Sequence, residues 1–132
     1  MEVREGEVAV VMELAGEGTL KKYIQKNGKL SEDVVSKITC QILQGLSYLQ
    51  INGISHKDLK PSNVLMTGNG NIQLSDYALA EIYDQRLSGK GDKVKNGDFS
   101  RGESLPYMAP EVIRHEGISE KADIWSLGCT VI

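Results

Sequence analysis

The polar chemistry of the chain is concentrated in one stretch, Ile54-Ser55-His56-Lys57-Asp58-Leu59-Lys60-Pro61-Ser62-Asn63-Val64-Leu65-Met66. Singly, an Asp, Lys or Asn in a loop forms turns or carries a solvated charge. Here Asp58, Lys60 and Asn63 fall within six residues, and apolar runs on both sides hold the segment in place. A second acid, Asp76, follows 18 residues after Asp58. Between them, Val64-Leu65-Met66 and Ile72-Gln73-Leu74 read as short strands joined through Gly68-Asn69-Gly70-Asn71. Asn-Gly turns favour a hairpin because both residues tolerate positive φ. A hairpin of this length brings its ends together, so Asp58, Asn63 and Asp76 are expected to converge. Carboxylates, an amide and an ammonium in one place suit phosphoryl transfer. Mg²⁺ takes hard oxygen ligands and keeps several waters, so a carboxylate, an amide oxygen and substrate phosphates suffice to hold it. Such a reaction depends on placement and electrostatics more than on covalent work by the protein.

The elements that must position this cluster are legible on either side. Val8-Ala9-Val10-Val11-Met12 is rich in β-branched residues and predicts a buried strand. Thr19 is placed to cap a short helix through Lys21-Lys22-Tyr23-Ile24, which Gly28 closes. Ser31 then stands where an N-cap belongs, with Glu32 and Asp33 at the positive end of the next helix dipole. Val35, Ile38, Ile42, Leu46 and Leu49 recur at helical spacing, predicting a helix over 32–50 that stops before Gly53. Residues 84–102 hold Gly, Ser, Lys and Asp with few apolar anchors and predict a long loop. Order is expected again at Leu105-Pro106-Tyr107-Met108, and a helix from Glu120 onward.

Composition narrows the partners. The 132 residues are 40% hydrophobic and 25% charged, which is ordinary for a single globular domain. A net charge of −3 leaves no broad basic field for nucleic acid or an anionic membrane. No segment reaches the roughly 18 apolar residues of a membrane helix, and the N-terminus lacks the apolar run of a secretory signal. Cys40 and Cys129 are expected to be buried thiols in a reducing compartment, which places the protein in the cytoplasm. The final Cys129-Thr130-Val131-Ile132 has the outline of a prenylation box, but no polybasic segment precedes it and it reads better as part of a helix.

These residues resemble the eukaryotic Ser/Thr protein kinases. His56-Lys57-Asp58-Leu59-Lys60-Pro61-Ser62-Asn63 looks like the catalytic loop, and Asp76-Tyr77-Ala78 stands where the family has its metal-binding Asp-Phe-Gly. Met108-Ala109-Pro110-Glu111 closes the activation segment, and Asp123-Ile124-Trp125-Ser126-Leu127-Gly128 opens the large helix beneath the catalytic loop. Four motifs in the family's order leave little room for chance. The resemblance implies an α+β, kinase-like fold: a mostly helical large-lobe portion with a short hairpin and a hinge strand. It implies ATP and Mg²⁺ as cofactors and a protein as substrate, with an upstream activating kinase or scaffold as a further partner. By resemblance, Asp58 orients the acceptor hydroxyl and takes its proton, and Lys60 offsets charge on the transferring phosphoryl group. Asn63 and Asp76 bind the metal, and Ser104 contacts Asp58 and Lys60 from the activation segment. Met12 is the gatekeeper, Glu13 to Ala15 form the adenine-binding hinge, and Leu65 packs beneath the adenine. Lys60, two residues after Asp58, is the Ser/Thr-type choice. The run from Leu105 to Glu111 is most similar to the mitogen-activated kinase kinase kinase and Ste20-like branches.

The departures from the family pattern are specific. Lys57 replaces an Arg that grips a loop phosphate bidentately, whereas Lys offers a point charge, which weakens the case for control through Ser88 or Ser100. Ala78 replaces Gly and restricts the backbone after the metal ligand, and Tyr77 replaces Phe. No Gly-rich loop or strand Lys precedes Val8. The expectation is therefore a partial kinase domain over 1–132, cut within both lobes, whose isolated 132 residues transfer no phosphate usefully. Glu111 is expected to lack an Arg partner. A pseudokinase or interaction fragment is the alternative reading. A small-molecule kinase is a weaker one, because Lys60, Ala109-Pro110-Glu111 and Asp123 with Trp125 belong to the protein kinase pattern.

Overall fold

The computed structural model describes residues 2–4, 7–9, 12–77, 101–114, 116 and 119–132. Ala78, Ser88, Ser100 and the loop expected over 84–100 lie outside the described residues. Two short strands, β1 (Glu2–Arg4) and β2 (Glu7–Ala9), pair antiparallel with Val3 opposite Val8. The expected strand over Val8–Met12 thus begins at Glu7, and Met12 falls outside it. Met12 is also 63% exposed rather than buried, since its stretch of backbone runs along the surface.

Beyond the hinge stretch, β3 (Gly18–Thr19) leads directly into α1 (Leu20–Asn27). The Thr19 hydroxyl accepts a hydrogen bond from the Lys22 N–H at 3.2 Å, satisfying one of the donors a helix start leaves open. At the other end Gly28 takes φ 73° and donates its N–H to Ile24, a conformation a Cβ would disfavour. The principal helix, α2 (Glu32–Ile51), is one residue longer than its apolar spacing predicts. Ser31 occupies its N-cap position, yet only its carbonyl participates, accepting from Val35, and the hydroxyl makes no cap bond.

Helix α2 buries the stripe Ile38, Ile42, Leu46 and Leu49. The first three join Leu20, Leu59, Val64, Met66 and Leu127 in one core, where full burial of an aliphatic side chain stabilises by about 1.5–3 kcal/mol. Gly45 lies on the same helix where it meets the hairpin. A Cβ there would fall 2.9 Å from Leu74 Cδ1, so the absence of a side chain sets the closeness of the approach.

That hairpin is β4 (Val64–Met66) and β5 (Ile72–Leu74), paired antiparallel with Leu65 opposite Gln73. Strand β3 pairs with the other edge of β4, giving a three-stranded sheet in the order β3-β4-β5. The connection differs from a two-residue Asn-Gly turn. Gly70 donates to Thr67 and Thr67 donates to Asn71, and of the loop residues only Gly70 has positive φ, 74°. This is the three-residue pattern with glycine in the left-handed position. Gln41 of α2 secures it, accepting from the Ile72 N–H at 2.9 Å and donating to the Gly70 carbonyl at 3.3 Å.

A one-turn helix, α3, spans Arg101–Ser104, so the last two residues of the expected loop are helical. A 3-10 turn over Leu105–Tyr107, α4 (Pro110–Ile113) and α5 (Glu120–Val131) follow. Helix α5 buries Ala122, Asp123, Ser126 and Leu127 against the rest of the molecule. Both cysteines depart from expectation: Cys40 is exposed on α2 and Cys129 is half-buried on α5, each off the buried stripe of its helix. Among the described residues no helix is long and apolar enough to cross a membrane.

Candidate active site

Of the residues expected to converge, Asp58, Asn63, Lys60 and Ser104 bond one another. The segment after α2 enters a 3-10 turn at Pro61–Asn63, with Pro at its first position where a missing N–H costs nothing. The turn swings Asn63 back so that its Nδ2 donates to the Asp58 carbonyl at 2.8 Å and to Asp58 Oδ2 at 2.9 Å. Lys60 Nζ lies 3.0 Å from the same Asp58 oxygen and donates to the Ser104 hydroxyl at 2.6 Å. Lys60 and Asn63 are buried, while the Asp58 side chain keeps 36% of its surface open. A carboxylate is therefore fixed by two donors from its own loop and still faces solvent. A cleft is lined by Lys57, Asp58, Ser104, Tyr107, Met108 and Asp123, among others.

Asp76 joins this cluster through Ser75. The Ser75 N–H donates to the Asn63 carbonyl at 3.0 Å, and its hydroxyl lies 3.2 Å from both that carbonyl and Asp76 Oδ2. Asp76 has φ 64°, a left-handed conformation that costs a non-glycine residue about 1–2 kcal/mol. Strain of this kind collects at functional sites, where the surroundings over-determine it. With the Asn63 amide nitrogen engaged by Asp58, its Oδ1 is the atom left for a cation. That amide oxygen and the Asp76 carboxylate are hard-oxygen donors of the kind Mg²⁺ takes. Among the described residues no group of three or more His, Cys, Asp or Glu side chains is placed to hold a metal ion.

The acid that holds the loop from beneath is the Asp123 that opens the helix motif quoted above, a motif that implies its place and no bonding role. Asp123, buried in the first turn of α5, accepts from the Ser55 hydroxyl at 3.0 Å and the His56 N–H at 2.8 Å on Oδ2. Its Oδ1 accepts from the Lys57 N–H at 2.8 Å. Lys57 is the chain's other described non-glycine residue with positive φ, 65°, and the Asp123 bonds offset that cost. An acid in the first turn of a helix ordinarily serves the dipole, so the local pattern gave no signal for these bonds, nor for Ser55 or Ser75, and only the motif resemblance put Asp123 beneath the loop. Ser126, one turn on, donates to the Tyr107 carbonyl at 2.7 Å and so ties the activation segment to the same helix.

His56 is fully buried, and burial pushes its imidazole pKa below the ordinary 6.5; the carboxylates of Asp123, Asp58 and Asp76 oppose this and are outweighed. Its Nδ1 accepts from the Asp58 N–H at 3.4 Å, which leaves the proton of the neutral ring on Nε2. That Nε2 has no partner among the described residues. The edge of the ring meets Tyr77, with centroids 6.4 Å apart.

The residues expected to meet adenine stand apart from this network. Glu13 is exposed and accepts from the Gln73 amide at 3.1 Å, which draws the hinge stretch alongside the hairpin strand opposite Leu65. The Ala15 carbonyl accepts from the Gly18 N–H at 3.1 Å. Half-buried Leu65 faces Thr19 and Gln73 in register. At the opposite rim, the Lys21 ammonium of α1 bonds the Glu103 carboxylate of α3. The pair raises the Lys21 pKa and lowers that of Glu103. Half-buried Glu111 makes no ion pair with a described residue.

Comparison with known proteins decides the family. Residues 1–132 match the protein kinase domain along their full extent. The chain belongs to the protein kinase family. It is 40% identical over 135 residues to mitogen-activated protein kinase kinase kinase MCK1 of Pyricularia oryzae, covering 99% of this chain and 8% of that protein. It is 40% identical over 127 residues to mitogen-activated protein kinase kinase kinase 3 of Homo sapiens, covering 95% of this chain and 19% of that one. Mitogen-activated protein kinase kinase kinase 3 of Arabidopsis thaliana is 39% identical over 132 residues, with 98% of this chain and 19% of that protein covered. This kinase chain thus spans less than a fifth of the length of these relatives.

Proposed function

We propose that the protein transfers the γ-phosphoryl group of ATP to serine or threonine hydroxyls of protein substrates. The observation that carries the reading is the Asp58 carboxylate, held by Asn63 and by Lys60 while Lys60 also grips Ser104 of the activation segment. Asp58 orients the acceptor hydroxyl and takes its proton as the hydroxyl oxygen bonds to the γ-phosphorus. The bond to the β–γ bridging oxygen breaks, and ADP leaves. Lys60 stands beside the transferring group, where its charge is worth more because it is buried. Ser104 couples that ammonium to the activation segment. Asn63 Oδ1 and Asp76 would hold Mg²⁺, which supplies charge neutralisation at the phosphates. The backbone of Glu13 and Ala15 binds adenine beside Met12, with Leu65 beneath the ring.

The names of the relatives describe kinases of a kinase kinase, so the substrate is taken to be another protein kinase. An upstream activating kinase or a scaffold and a cytoplasmic setting complete the proposal. The 132 residues cover one part of a kinase domain, and by themselves they give no useful turnover, since a lysine for the α- and β-phosphates is not among them. The test uses the full-length protein with radiolabelled Mg-ATP and a generic Ser/Thr substrate. Incorporation should fall by at least about 10²-fold in Asp58→Asn, since a positioned base contributes 10²–10⁴. Undiminished incorporation in that variant overturns the assignment. No incorporation in the wild type favours the pseudokinase reading instead.

A further inference from the structure

We propose that the exposed face of α1 selects acceptor segments whose phosphorylated hydroxyl is flanked by acidic residues, an inference that rests on the kinase reading above. Helix α1 buries Leu20 and packs Tyr23 and Ile24 on the core, so helical geometry turns Lys21, Lys22 and Lys26 outward, and all three are exposed. No Asp or Glu occurs between Gly18 and Ser31, and of the three only Lys21 is ion-paired to a described residue, Glu103. The placement works against the helix. Lys21 and Lys22 sit in the first turn, where the dipole disfavours cations and where α1 has no acid. Lys22 and Lys26 form a like-charged i,i+4 pair that weakens the helix further. In a chain of net charge −3, a lysine ledge that its own helix does not favour is explained by what it binds.

The molecule already seats a carboxylate there. Glu103, 82 residues from Lys21 in sequence, reaches back from the activation segment to bond its ammonium. Both side chains of the pair are open to solvent, at 45% and 61%, so the bond exchanges readily with carboxylates from outside. Glu103 immediately precedes Ser104, which is bonded to Lys60 and through it to Asp58. The ledge therefore begins one residue from the catalytic cluster, and Lys22 and Lys26 continue it outward by one helical turn. An acceptor whose hydroxyl lies at Asp58 runs past the Lys21–Glu103 pair. Its flanking acids then meet Lys22 and Lys26.

The test compares two serine peptides of equal length on the full-length protein, one flanked by Glu and Asp, the other by Lys and Arg. The acidic peptide should be preferred by about tenfold in kcat/KM, carried by KM, as expected of charges at a rim. K22E/K26E should abolish or reverse that preference with kcat changed less than about twofold, and its melting temperature checks folding. Raising salt from about 50 to about 500 mM should erode the wild-type preference. Direct binding of a fluorescent acidic peptide with Ala in place of Ser provides a readout independent of turnover and should weaken in K22E/K26E. A wild-type ratio near one, with incorporation lost in Asp58→Asn, overturns this inference alone, as does an unchanged ratio in K22E/K26E. Incorporation that survives Asp58→Asn overturns the kinase reading and this inference with it.

Discussion

The catalytic loop and the hinge stretch are held in opposite ways. Around Asp58, itself partly open, buried polar groups bond one another with the exception of His56 Nε2: Asn63, Lys60 and Ser104 on one side, and Asp123 receiving three bonds from Ser55, His56 and Lys57 on the other. Two left-handed residues, Lys57 and Asp76, are held in this region. Among the described residues, the Glu13 side chain is tied to the hairpin by an exposed bond to Gln73. Buried networks of satisfied polar groups rigidify and specify one arrangement, whereas exposed bonds contribute little. The segment around Asp58 is thus fixed by buried bonds, and the Glu13 side chain is held by an exposed one.

The largest break in that contrast should come from Asp123→Ala. It strands two backbone N–H groups and a hydroxyl, so urea unfolding should show a loss of about 3–5 kcal/mol, as for a broken buried charge network. Activity should fall with it, because Lys57 loses the bond that offsets its left-handed backbone. A loss below about 1 kcal/mol would mean that the loop is held by something else.

His56 sharpens the same contrast through pH. Burial lowers its pKa in the folded state, so the unfolded chain binds the extra proton and acid favours unfolding. Its contribution is fully present above the ordinary 6.5 and is lost as pH falls from there toward the depressed folded value. The slope attributable to it is at most about 1.4 kcal/mol per pH unit. His56→Gln should flatten that acid limb in urea titrations run across this range. An identical limb in the variant would assign the acid sensitivity to other groups.

At the small end stands Glu13→Gln. It removes the charge from an exposed bond and should change stability by less than about 0.5 kcal/mol. Any effect on turnover should appear in KM for ATP, with kcat preserved. A large loss of stability here would erase the distinction between the two segments.

Local chemistry was legible where neighbours in sequence are neighbours in space. The apolar stripe of α2, the Thr19 and Gly28 caps, the hairpin and the pairing of Asn63 with Asp58 all depend on residues a few positions apart. The hairpin loop was misread in detail, because an Asn-Gly pair also suits a three-residue loop in which glycine alone takes the left-handed position. Contacts between distant segments left no such trace. Asp123 lies 68 residues from Ser55, and Glu103 lies 82 from Lys21, and nothing in either local pattern announces the partner. Cys40 failed for a related reason: a thiol is small enough to sit on either face, so residue type alone did not fix its side of α2.

Gathering of Asn63 and Asp76 around one divalent cation is the central claim, and Mn²⁺ electron paramagnetic resonance with a non-hydrolysable ATP analogue tests it without requiring turnover. In the full-length protein, Asn63→Ala and Asp76→Asn should each weaken nucleotide-dependent Mn²⁺ binding by about tenfold or more, and the double variant should lose less than the sum of the two. Wild-type Mn²⁺ affinity in Asp76→Asn, or strictly additive losses in the double variant, would contradict a shared site.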